Sequence, residues 1–468
     1  MKRRTFNTLM TSSAGALAAG MAAPKAARAA VTPDMAAQLK TTLTPFGAER
    51  AGNADGSIPA WTGGLTTTPD GWTPAQPMPD MFKSDAKVVS INASNMAQYE
   101  DKLCESVKFM MKKWPEFRID VYPTHRTAAA PQWVYDNTYQ NALRTKPVPG
   151  GSRLGFVDAY GGVPFPIPDQ SDPLEAGAQV MWNHNTRWES CNYNRMITSW
   201  VVSQGQLTLA LGYRNIETSP YYLPNGTLEN YNGYIRQYHE HFYSPANFNG
   251  QELIEWQPTN TTNQPMQVWQ YLAGQGRVRK APELTYDTPA STLDGIGGYD
   301  EYYVFYGALD RYDWKLLGKR EVYIPYNNNA VFLSTPENAH QPHFMNPDIV
   351  RWELHRVWVV EATLHAGARN VLPRRVFYVD EDTWHAVLGD AYDAQNNLYH
   401  HQIMFMETRP DVPSTAYGNS LVYNLQADEY VSGGGAWDMP APYNEPVSFA
   451  PLTPNTFNPQ TLGAQDSF

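Results

Sequence analysis

The chain has 468 residues and a formal net charge of −11 at pH 7. This acidic balance argues against nucleic acid as a partner, because a phosphate-binding surface needs a basic stripe. Aromatic residues make up 13% of the chain, with 29 Tyr and 14 Trp, whereas charged residues make up only 17%. Large flat side chains suit pleated sheets and apolar cavities. Beyond the N-terminal segment, no run of about 18 apolar residues occurs, so the sequence predicts no transmembrane helix.

The first 29 residues have the pattern of an export signal. Lys2 to Arg4 form a basic start, residues 9–23 form a weakly apolar stretch rich in Gly and Ala, and Ala27-Arg28-Ala29 gives the small-x-small pattern of a cleavage site. Arg3-Arg4-Thr5-Phe6 matches the twin-arginine form of such signals. No Cys follows the cleavage site. We therefore expect a periplasmic protein without a lipid anchor.

The stretch "ERAGNADGSIPAWTGG", residues 49–64, places Asn53, Asp55 and Gly56 where a calcium loop has ligands and a bend. In that alignment Ala51 and Thr62 occupy the first and last loop positions, so both anchoring carboxylates are missing. The sequence therefore predicts an Asn/Asp/Gly turn that attaches the N-terminal arm to the sheet, and not a metal site.

Residues 30–150 are predicted to form an N-terminal arm followed by a helical segment. The arm, to about residue 90, is rich in Pro, Gly and Thr. Apolar residues at helical spacing predict a helix from Met96 to Lys112. A second helix is predicted from Pro131 to Leu143, with Pro at its first turn.

From residue 151 to about 435 the apolar period changes to two, which predicts a domain of antiparallel strands. The segment "RWELHRVWVVEATLHAG", residues 351–367, alternates between an apolar face and a polar face that we expect to be in solvent. The next segment predicts three strands that turn at Asp380–Asp382 and at Asp393–Asn397. Residues 436–468 are predicted to form a C-terminal arm rich in Pro and Asn. The predicted fold class is mainly antiparallel β (α+β), a large curved sheet or incomplete barrel covered by a few helices and two arms.

Signatures of catalysis are mostly absent: the chain contains no G-x-S-x-G, phosphate-binding loop, C-x-x-C or H-E-x-x-H motif. His239 and His241 share one strand face and could hold a metal together, but no third ligand is evident in the sequence. We therefore predict no metal and no cofactor. Cys104 and Cys191 could pair in an oxidising compartment or stay reduced, and their spacing does not decide between these states.

Arg356 interrupts the apolar face of its predicted strand. A buried arginine needs a carboxylate or other hydrogen bonds, because desolvating it alone costs several kcal/mol. Its partner is either an internal Asp or Glu or the anionic head of a bound amphiphile, and a bulge that turns the side chain outward is a further alternative.

Several long motifs, in order along the chain, resemble the DUF1329 family of proteobacterial envelope proteins, often labelled outer-membrane lipoprotein-sorting proteins. The motifs are "LTPFGAERAGNADGSIPAWTGG", "VYPTHRT", "VPFPIP", "MWNH", "GQGRVRKAPELTYDTP", "LDRYDWKLLGKREVYIPYN" and "RWELHRVWVVEATLHAGARNVLPRRVFYVDEDTWHAVLGDAYDAQNNLYHHQ". The resemblance covers roughly residues 40–450. It implies a fold similar to the lipoprotein carriers LolA and LolB, in which an incomplete antiparallel barrel holds acyl chains.

The resemblance also implies a periplasmic carrier or receptor for a lipid or other hydrophobic molecule, in transport to or from the outer membrane. It suggests an RND/MMPL-type transporter and an outer-membrane barrel protein as partners, and it carries over no catalytic residues. An apolar concave sheet face leaves room for a ligand. We expect the ligand to contact Arg356 and large aromatic side chains, with core packing as the alternative for each ring. The aromatic candidates are Trp269, Tyr271, Trp352, Trp358, Phe377 and Tyr378.

The predicted protein is thus a carrier and not an enzyme. Two alternatives remain open on the sequence. One is an envelope hydrolase acting on a lipid or glycan, and the other is an accessory subunit of a transport system that binds no ligand itself.

Overall fold

The computed structural model describes residues 31–74, 76–435, 444–448 and 452–464. The predicted export signal, residues 1–29, lies outside these ranges, as does much of the predicted C-terminal arm, residues 436–468. Among the described residues, none of the helices combines the length and the apolar character that spanning a membrane requires.

Antiparallel strands dominate the described residues, as the period-two pattern predicts. The strands are β1 Val89–Ile91, β2 Ile119–Val121, β3 Lys146–Pro147, β4 Phe156–Val157, β5 Asn192–Ser203, β6 Gln206–Thr218, β7 Tyr234–Ser244, β8 Glu252–Pro258, β9 Gln267–Leu272, β10 Arg277–Lys280, β11 Tyr312–Pro325, β12 Trp352–Leu364, β13 Arg374–Asp380, β14 Ala386–Tyr392, β15 Leu398–Arg409, β16 Ser414–Asn424, β17 Glu429–Gly435 and β18 Asn444–Ser448.

All of these strands except β3 and β4 form one large sheet. Its main order is β11-β12-β13-β14-β15-β16-β17-β5-β6-β7-β8-β9-β10, with β18 added against β5 and β2 paired in parallel with β12. β11 and β10 are the two ends of this order, so within the described residues the sheet is open. Register shifts between Leu316 and Gly318, Phe405 and Met406, and Ser199 and Trp200 mark bulges, which bend and twist a sheet. The predicted fold class is confirmed.

Helices cover the sheet at a few places. They are α1 Pro33–Ala37, α2 Glu105–Lys113, α3 Gln132–Arg144, α4 Pro173–Asn185, α5 Asn329–Phe332 and α6 Pro336–Ala339. The predicted second helix corresponds to α3. The sequence analysis did not predict α4, although Asp172 caps its first turn and Pro173 occupies its first position. From Ala176 to Asn185 every α4 residue is buried, so this helix fills the space in front of β11.

The first predicted helix, Met96–Lys112, is only partly correct. Two 3₁₀ turns occupy residues 96–102, and α2 begins at Glu105. The carboxylate of Asp390, on β14, accepts hydrogen bonds of 3.0 Å from the backbone N–H groups of Glu105 and Ser106. A side chain 285 residues away in the sequence therefore caps the helix and fixes its start.

The prediction that β12 has one face in solvent is wrong. Glu353, His355, Val357 and Val359, all on the face predicted to be wet, are buried. The polar members of this face form ion pairs: the imidazole of His355 lies 3.2 Å from Glu353, and the guanidinium of Arg351 lies 2.5 Å from the same carboxylate. Residues from other parts of the chain cover this face: the backbone N–H of His125 donates a 2.8 Å hydrogen bond to Glu353, and the ring of Tyr326 stacks on that of His355 at 4.0 Å. Charges that pair with one another therefore replace contact with water.

The acidic turn Asp380–Asp382 is likewise buried beneath the N-terminal arm. The amide of Asn53 donates a 3.1 Å hydrogen bond to Glu321 on β11, while its carbonyl oxygen accepts from the backbone of Ile58. The stretch 49–64 is therefore a turn that attaches the arm to the sheet, as the sequence predicts.

Candidate ligand-binding site

A pocket lies on one face of the sheet, where β5, β6, β7 and β8 run side by side. The register aligns Arg195 with Asn215, Asn215 with Glu240, and Tyr238 with Glu255, so these side chains share a face. A small apolar cluster lies in the same region of the sheet, and it is separate from the large core around α4 and β12. The pocket is lined by Arg195, Ile197, Tyr213, Asn215, Tyr238, Glu240, Phe242, Leu253, Glu255, Ser291, Thr292, Tyr299, Tyr302, Tyr303, Tyr306 and Tyr417. We call it the tyrosine pocket.

Residues 284–306 cover the tyrosine pocket as an irregular loop, which we call the pocket loop. Its rings pack edge to face on the sheet: Tyr303 lies 4.4 Å from Tyr417, centroid to centroid, at an interplanar angle of 71°. The hydroxyl of Tyr238 donates a 3.3 Å hydrogen bond to that of Tyr303. Tyrosines of this kind offer a wide apolar contact surface with a polar group at its end.

A buried arginine binds the pocket loop to β13. Arg375, on β13, lies 3.3 Å from the carboxylate of Asp300 and donates a 2.8 Å hydrogen bond to the carbonyl of Val304. Tyr303 and Val304 have φ values of 54° and 70°. Such left-handed conformations are costly for residues other than Gly and concentrate at ligand-binding segments.

Two carboxyl groups line the pocket with little to stabilise their charge. Burial raises the pKa of Glu255 to about 8, against the hydrogen bond that the hydroxyl of Tyr306 donates to it, and nearby Glu240 raises it further. Burial raises the pKa of Glu240 to about 7, against a weak hydrogen bond from Asn215. At neutral pH much of this pair is uncharged, so each carboxyl can donate a hydrogen bond as well as accept one.

Several polar atoms that line the tyrosine pocket are buried without a hydrogen-bond partner in the described residues. They are the Nε of Arg195, the Oδ1 of Asn215 and the Oγ1 of Thr292. Leaving such atoms unpaired costs about 1–3 kcal/mol each, and a bound molecule or water removes that cost. The pocket encloses about 50 Å³ of free volume.

A second pocket of about 350 Å³ lies near β4, lined by Phe156–Ala159 and by parts of the loops around residues 228–233 and 259–264. Its lining includes Asn260, Asn263 and Gln264, and Asp158 is its one acidic residue. It lacks the paired buried carboxyls and the tyrosine lining of the first pocket.

Four of the predicted ligand contacts lie in the large core, packed against the chain's own side chains. The ring of Trp358 stacks on Trp384 at 6.1 Å, and that of Phe377 lies 5.7 Å from Trp314. Trp352 and Tyr378 are also buried there, and the hydroxyl of Tyr378 donates a 3.1 Å hydrogen bond to Asp390. None of the four lines either pocket described above.

The other two predicted aromatic contacts, Trp269 and Tyr271, are half-buried on β9 and turn toward the opposite face from the tyrosine pocket. Trp269 lies 4.9 Å from Trp256, whose indole N–H donates a 3.1 Å hydrogen bond to the carbonyl of Phe457. The C-terminal segment thus covers these rings. As ligand contacts, all six aromatic residues stay predictions.

Arg356 has an internal partner, which is one of the alternatives the sequence leaves open. Its guanidinium lies 3.3 Å from the carboxylate of Glu381 and donates a 3.0 Å hydrogen bond to the carbonyl of Ala51. The two cysteines, Cys104 and Cys191, are both free and buried. In the structure the two are not joined by a disulfide, and their pairing stays one of the two alternatives of the sequence.

Sequence reasoning missed the tyrosine pocket, although two signals were present. The run "GGYDEYYVFYG", residues 297–307, has four tyrosines among eleven residues, which is unusual for a surface loop. Glu240 lies between Tyr238 and Phe242 on its strand face, and Glu255 follows Leu253 on the same face of β8. An acid at such a position is a candidate for a perturbed pKa.

The fold and the pocket define an open antiparallel-sheet protein with a covered, tyrosine-lined pocket. Residues 90–462 match the family described as "Protein of unknown function (DUF1329)". The chain is also 37% identical over 416 residues to the uncharacterized protein PA3922 of Pseudomonas aeruginosa, a match that covers 87% of this chain and 88% of that one. The chain belongs to the DUF1329 family, which confirms the resemblance found in the sequence.

Solved structures show more distant similarity. A DUF1329 family protein from Desulfovibrio piger is 14% identical, with a TM-score of 0.41 over 62% of this chain and 99% of that one. A putative outer membrane lipoprotein-sorting protein domain from Vibrio parahaemolyticus is 12% identical, with a TM-score of 0.42 over the same shares, 62% and 99%. The LolA superfamily protein NE2245 from Nitrosomonas europaea is 10% identical, with a TM-score of 0.31 over 55% and 90%.

Proposed function

We propose that this protein is a periplasmic carrier or receptor that holds a small hydrophobic molecule with a polar group in the tyrosine pocket. The observation that carries the proposal is the combination of aromatic walls with two buried carboxyls, Glu240 and Glu255, whose pKa values are raised to about 7 and about 8. Aromatic rings contact the apolar body of a ligand, and the neutral carboxyls and tyrosine hydroxyls bond its polar group.

The size of the pocket limits which ligands can bind without a conformational change of the protein. A water needs about 10–15 Å³ of such volume, so 50 Å³ holds roughly three to five waters. A long acyl chain requires the pocket loop to move outward. Each ligand methylene that leaves water then contributes about 0.8 kcal/mol toward that movement.

The periplasmic location rests on the export pattern of residues 1–29, and the place in a transport pathway to or from the outer membrane rests on the family resemblance. We propose an RND/MMPL-type transporter or an outer-membrane barrel protein as the partner that delivers or receives the ligand. A photo-crosslinking residue at Ser291, an exposed position at the pocket rim, tests this in intact cells. Adducts with envelope proteins of those two classes support the pathway. The pathway is contradicted if the residue at position 291 gives no such adducts while the same crosslinking residue at other surface positions reacts efficiently.

The carrier proposal is tested by native mass spectrometry of protein purified from the periplasm, together with displacement of an apolar fluorescent probe. Leu253→Phe narrows the pocket at one of its lining positions, and the control Val278→Phe introduces the same ring at an exposed position on β10, where it adds more volume. We expect the wild type and Val278→Phe to carry a ligand mass and to bind the probe, and Leu253→Phe to lose both. A ligand-free wild type that binds no probe, or unchanged binding in a folded Leu253→Phe variant, contradicts the proposal.

The paired carboxyls also favour a second candidate, an envelope hydrolase that acts on a lipid or glycan. Two acids in one pocket with pKa values near neutrality suit general acid–base chemistry. Glu240→Gln and Glu255→Gln separate the candidates. A hydrolase loses turnover of lipid esters or glycans in both variants, whereas a carrier shows no turnover at all and retains probe binding in at least one.

A further inference from the structure

A second cluster lies on the reverse face of β7 and β8, away from the tyrosine pocket. His239 and His241 are two residues apart on β7 and share that face, and His241 is aligned with Glu252 on β8. One ligand atom from each of the three residues lies within 4.8 Å of the others, and all three residues are buried. The sequence shows only the two histidines, because the third member comes from the neighbouring strand.

The hydrogen bonds around His239 fix where its lone pair points. Its Nδ1 lies 2.7 Å from the carbonyl oxygen of Thr456, which can only accept, so Nδ1 carries the proton. Its Nε2 lies 2.8 Å from Oε2 of Glu252. Two acceptors this close need either a proton or a metal ion between them.

The surroundings are those of a metal-binding histidine. Such a histidine donates its other ring N–H to a carbonyl or carboxylate, which fixes the ring and raises its basicity. The second oxygen of Glu252 is also fixed, because it accepts a 3.0 Å hydrogen bond from the backbone N–H of Gly463. Both outer hydrogen bonds come from the C-terminal segment, residues 452–464.

The distances are close to those of a tetrahedral site. Metal–ligand bonds of about 2.1 Å at tetrahedral angles place ligand atoms about 3.4 Å apart. The Nδ1 of His241 lies 3.6 Å from Oε2 of Glu252, and the Nε2 of His239 lies 2.8 Å from it. Opening the shorter distance by a few tenths of an ångström, through side-chain rotation, is sufficient.

Charge and ligand type narrow the ion. Two imidazoles and one carboxylate suit zinc and related divalent transition metals, whereas calcium and magnesium prefer oxygen ligands. Arg214, aligned with His241 on β6, opposes a cation, but its Nε donates a 2.7 Å hydrogen bond to Asn194 on β5. Glu252 supplies the compensating negative charge at the ion.

We propose that His239, His241 and Glu252 bind one divalent transition-metal ion of the zinc class, and that the ion fastens the C-terminal segment to the sheet. Thr456 and Gly463 bond the outer atoms of two of the ligands, so an ion that orders these ligands also orders that segment. The site is independent of the tyrosine pocket, which lies on the other face.

The test uses full-length mature protein dialysed against a chelator, followed by titration with zinc chloride in a calorimeter and elemental analysis after desalting. We expect one equivalent of zinc per chain in the wild type, and loss of that equivalent in His241→Asn and in Glu252→Gln. The matched control is His343→Asn, which removes a half-buried histidine outside the cluster that lies 2.9 Å from Asp428, and it should bind zinc as the wild type does.

Hydrogen exchange gives a readout that does not depend on stoichiometry. Zinc should slow exchange of the backbone amides of residues 455–463 in the wild type and in His343→Asn, but not in the two site variants. Circular dichroism confirms that each variant is folded. The proposal is overturned if the wild type takes up no stoichiometric zinc, if both site variants retain it, or if only His343→Asn loses it.

Discussion

Arg126, in the loop between β2 and α3, forms a two-pronged ion pair with Asp382, in the turn that follows β13, 256 residues later in the chain. The distances are 2.8 Å from Nε to Oδ2 and 2.6 Å from Nη2 to Oδ1, and both side chains are 2% exposed. Burial alone lowers the pKa of Arg126, but the hydrogen bonds and charge of Asp382 raise it above its ordinary value. The same guanidinium donates a 2.7 Å hydrogen bond to the carbonyl of Glu49. The side chain of Arg126 therefore connects the loop after β2 to the turn after β13 and to the stretch 49–64 of the N-terminal arm.

Arg126→Met should lower the free energy of unfolding by about 3–5 kcal/mol, because it leaves buried carboxylates without their cation. Urea denaturation of the purified protein measures the change. Arg279→Met is the matched control, since Arg279 makes an exposed ion pair with Glu283 at 2.7 Å. Such a pair contributes about 1 kcal/mol or less. Equal losses in the two variants would contradict the role assigned to Arg126.

Gly177→Ala should destabilise the protein although it improves helix propensity. In an exposed helix this change stabilises by about 1 kcal/mol. In α4, a Cβ at residue 177 would lie 2.4 Å from the backbone oxygen of Trp314, so the helix must move away from β11. We expect a net loss of roughly 1–3 kcal/mol in thermal or urea unfolding. Gly274→Ala, where a Cβ meets no atom within 4 Å, should change stability little, and a stabilised Gly177→Ala would show that α4 does not pack as described.

The contribution of Glu240 and Glu255 to the free energy of unfolding should fall as the pH rises from about 5 to about 9. The folded state raises the pKa of Glu255 from 4.5 to about 8, so between these values it holds a proton that the unfolded chain releases. Stability that depends on that proton is complete below the unfolded pKa and is lost as the pH passes through the folded pKa. Glu240, raised to about 7, acts in the same direction.

Glu255→Gln should therefore reduce this pH dependence. We expect it to match the wild type near pH 5 and to exceed it by about 2–5 kcal/mol at pH 9, since one pKa unit corresponds to about 1.4 kcal/mol. Urea melts at the two pH values give the comparison. Glu283→Gln, at an exposed position, serves as the control, and an unchanged slope in Glu255→Gln would show that Glu255 is charged in the folded protein.

Both thiols should be unreactive in the folded protein. Burial raises the pKa of Cys191 to about 12 and that of Cys104 well above its usual value, so neither forms the reactive thiolate at neutral pH. Ellman's reagent should detect almost no thiol in the native protein, and two thiols per chain in denaturant without any reductant. Zero thiols in the denatured protein would instead indicate a disulfide between Cys104 and Cys191.

Local patterns in the sequence were sufficient for most of the sheet. The turns at residues 380–382 and 393–397 and the alternation along β12 predicted the correct strands, because neighbouring strands in a meander pair locally. The environment of each strand face was harder to predict. Glu353 and His355 have the side chains of surface residues, and their burial is explained only by His125, Tyr326 and Arg351, which folding brings against them.

The aromatic residues predicted to contact a ligand show the same limit of sequence-based prediction. The sequence pointed to Trp352, Trp358 and Phe377 as cavity walls because large rings on one strand face suit either a core or a cavity. What decides between them is which side chains from other parts of the chain pack on the rings: Trp384 stacks on Trp358, and Phe305 and Trp314 lie against Phe377. The tyrosine pocket needs residues from five strands and the pocket loop, and pairing between Tyr238 and Glu255 becomes visible only when the register is known.

The pairing between β17 and β5 affects the order in which the sheet forms during synthesis. Glu429 is aligned with Ser203, and their side chains are hydrogen bonded across 226 residues of sequence. A nascent chain on the ribosome can form the hairpins β5–β10 and later β11–β16, but β5 keeps an unpaired edge until nearly the whole chain has emerged. Long-range pairing of this kind is slow and leaves strand edges open to misassembly. Pairing of β17 with β5 is therefore expected to be a late and slow step in the folding of this protein.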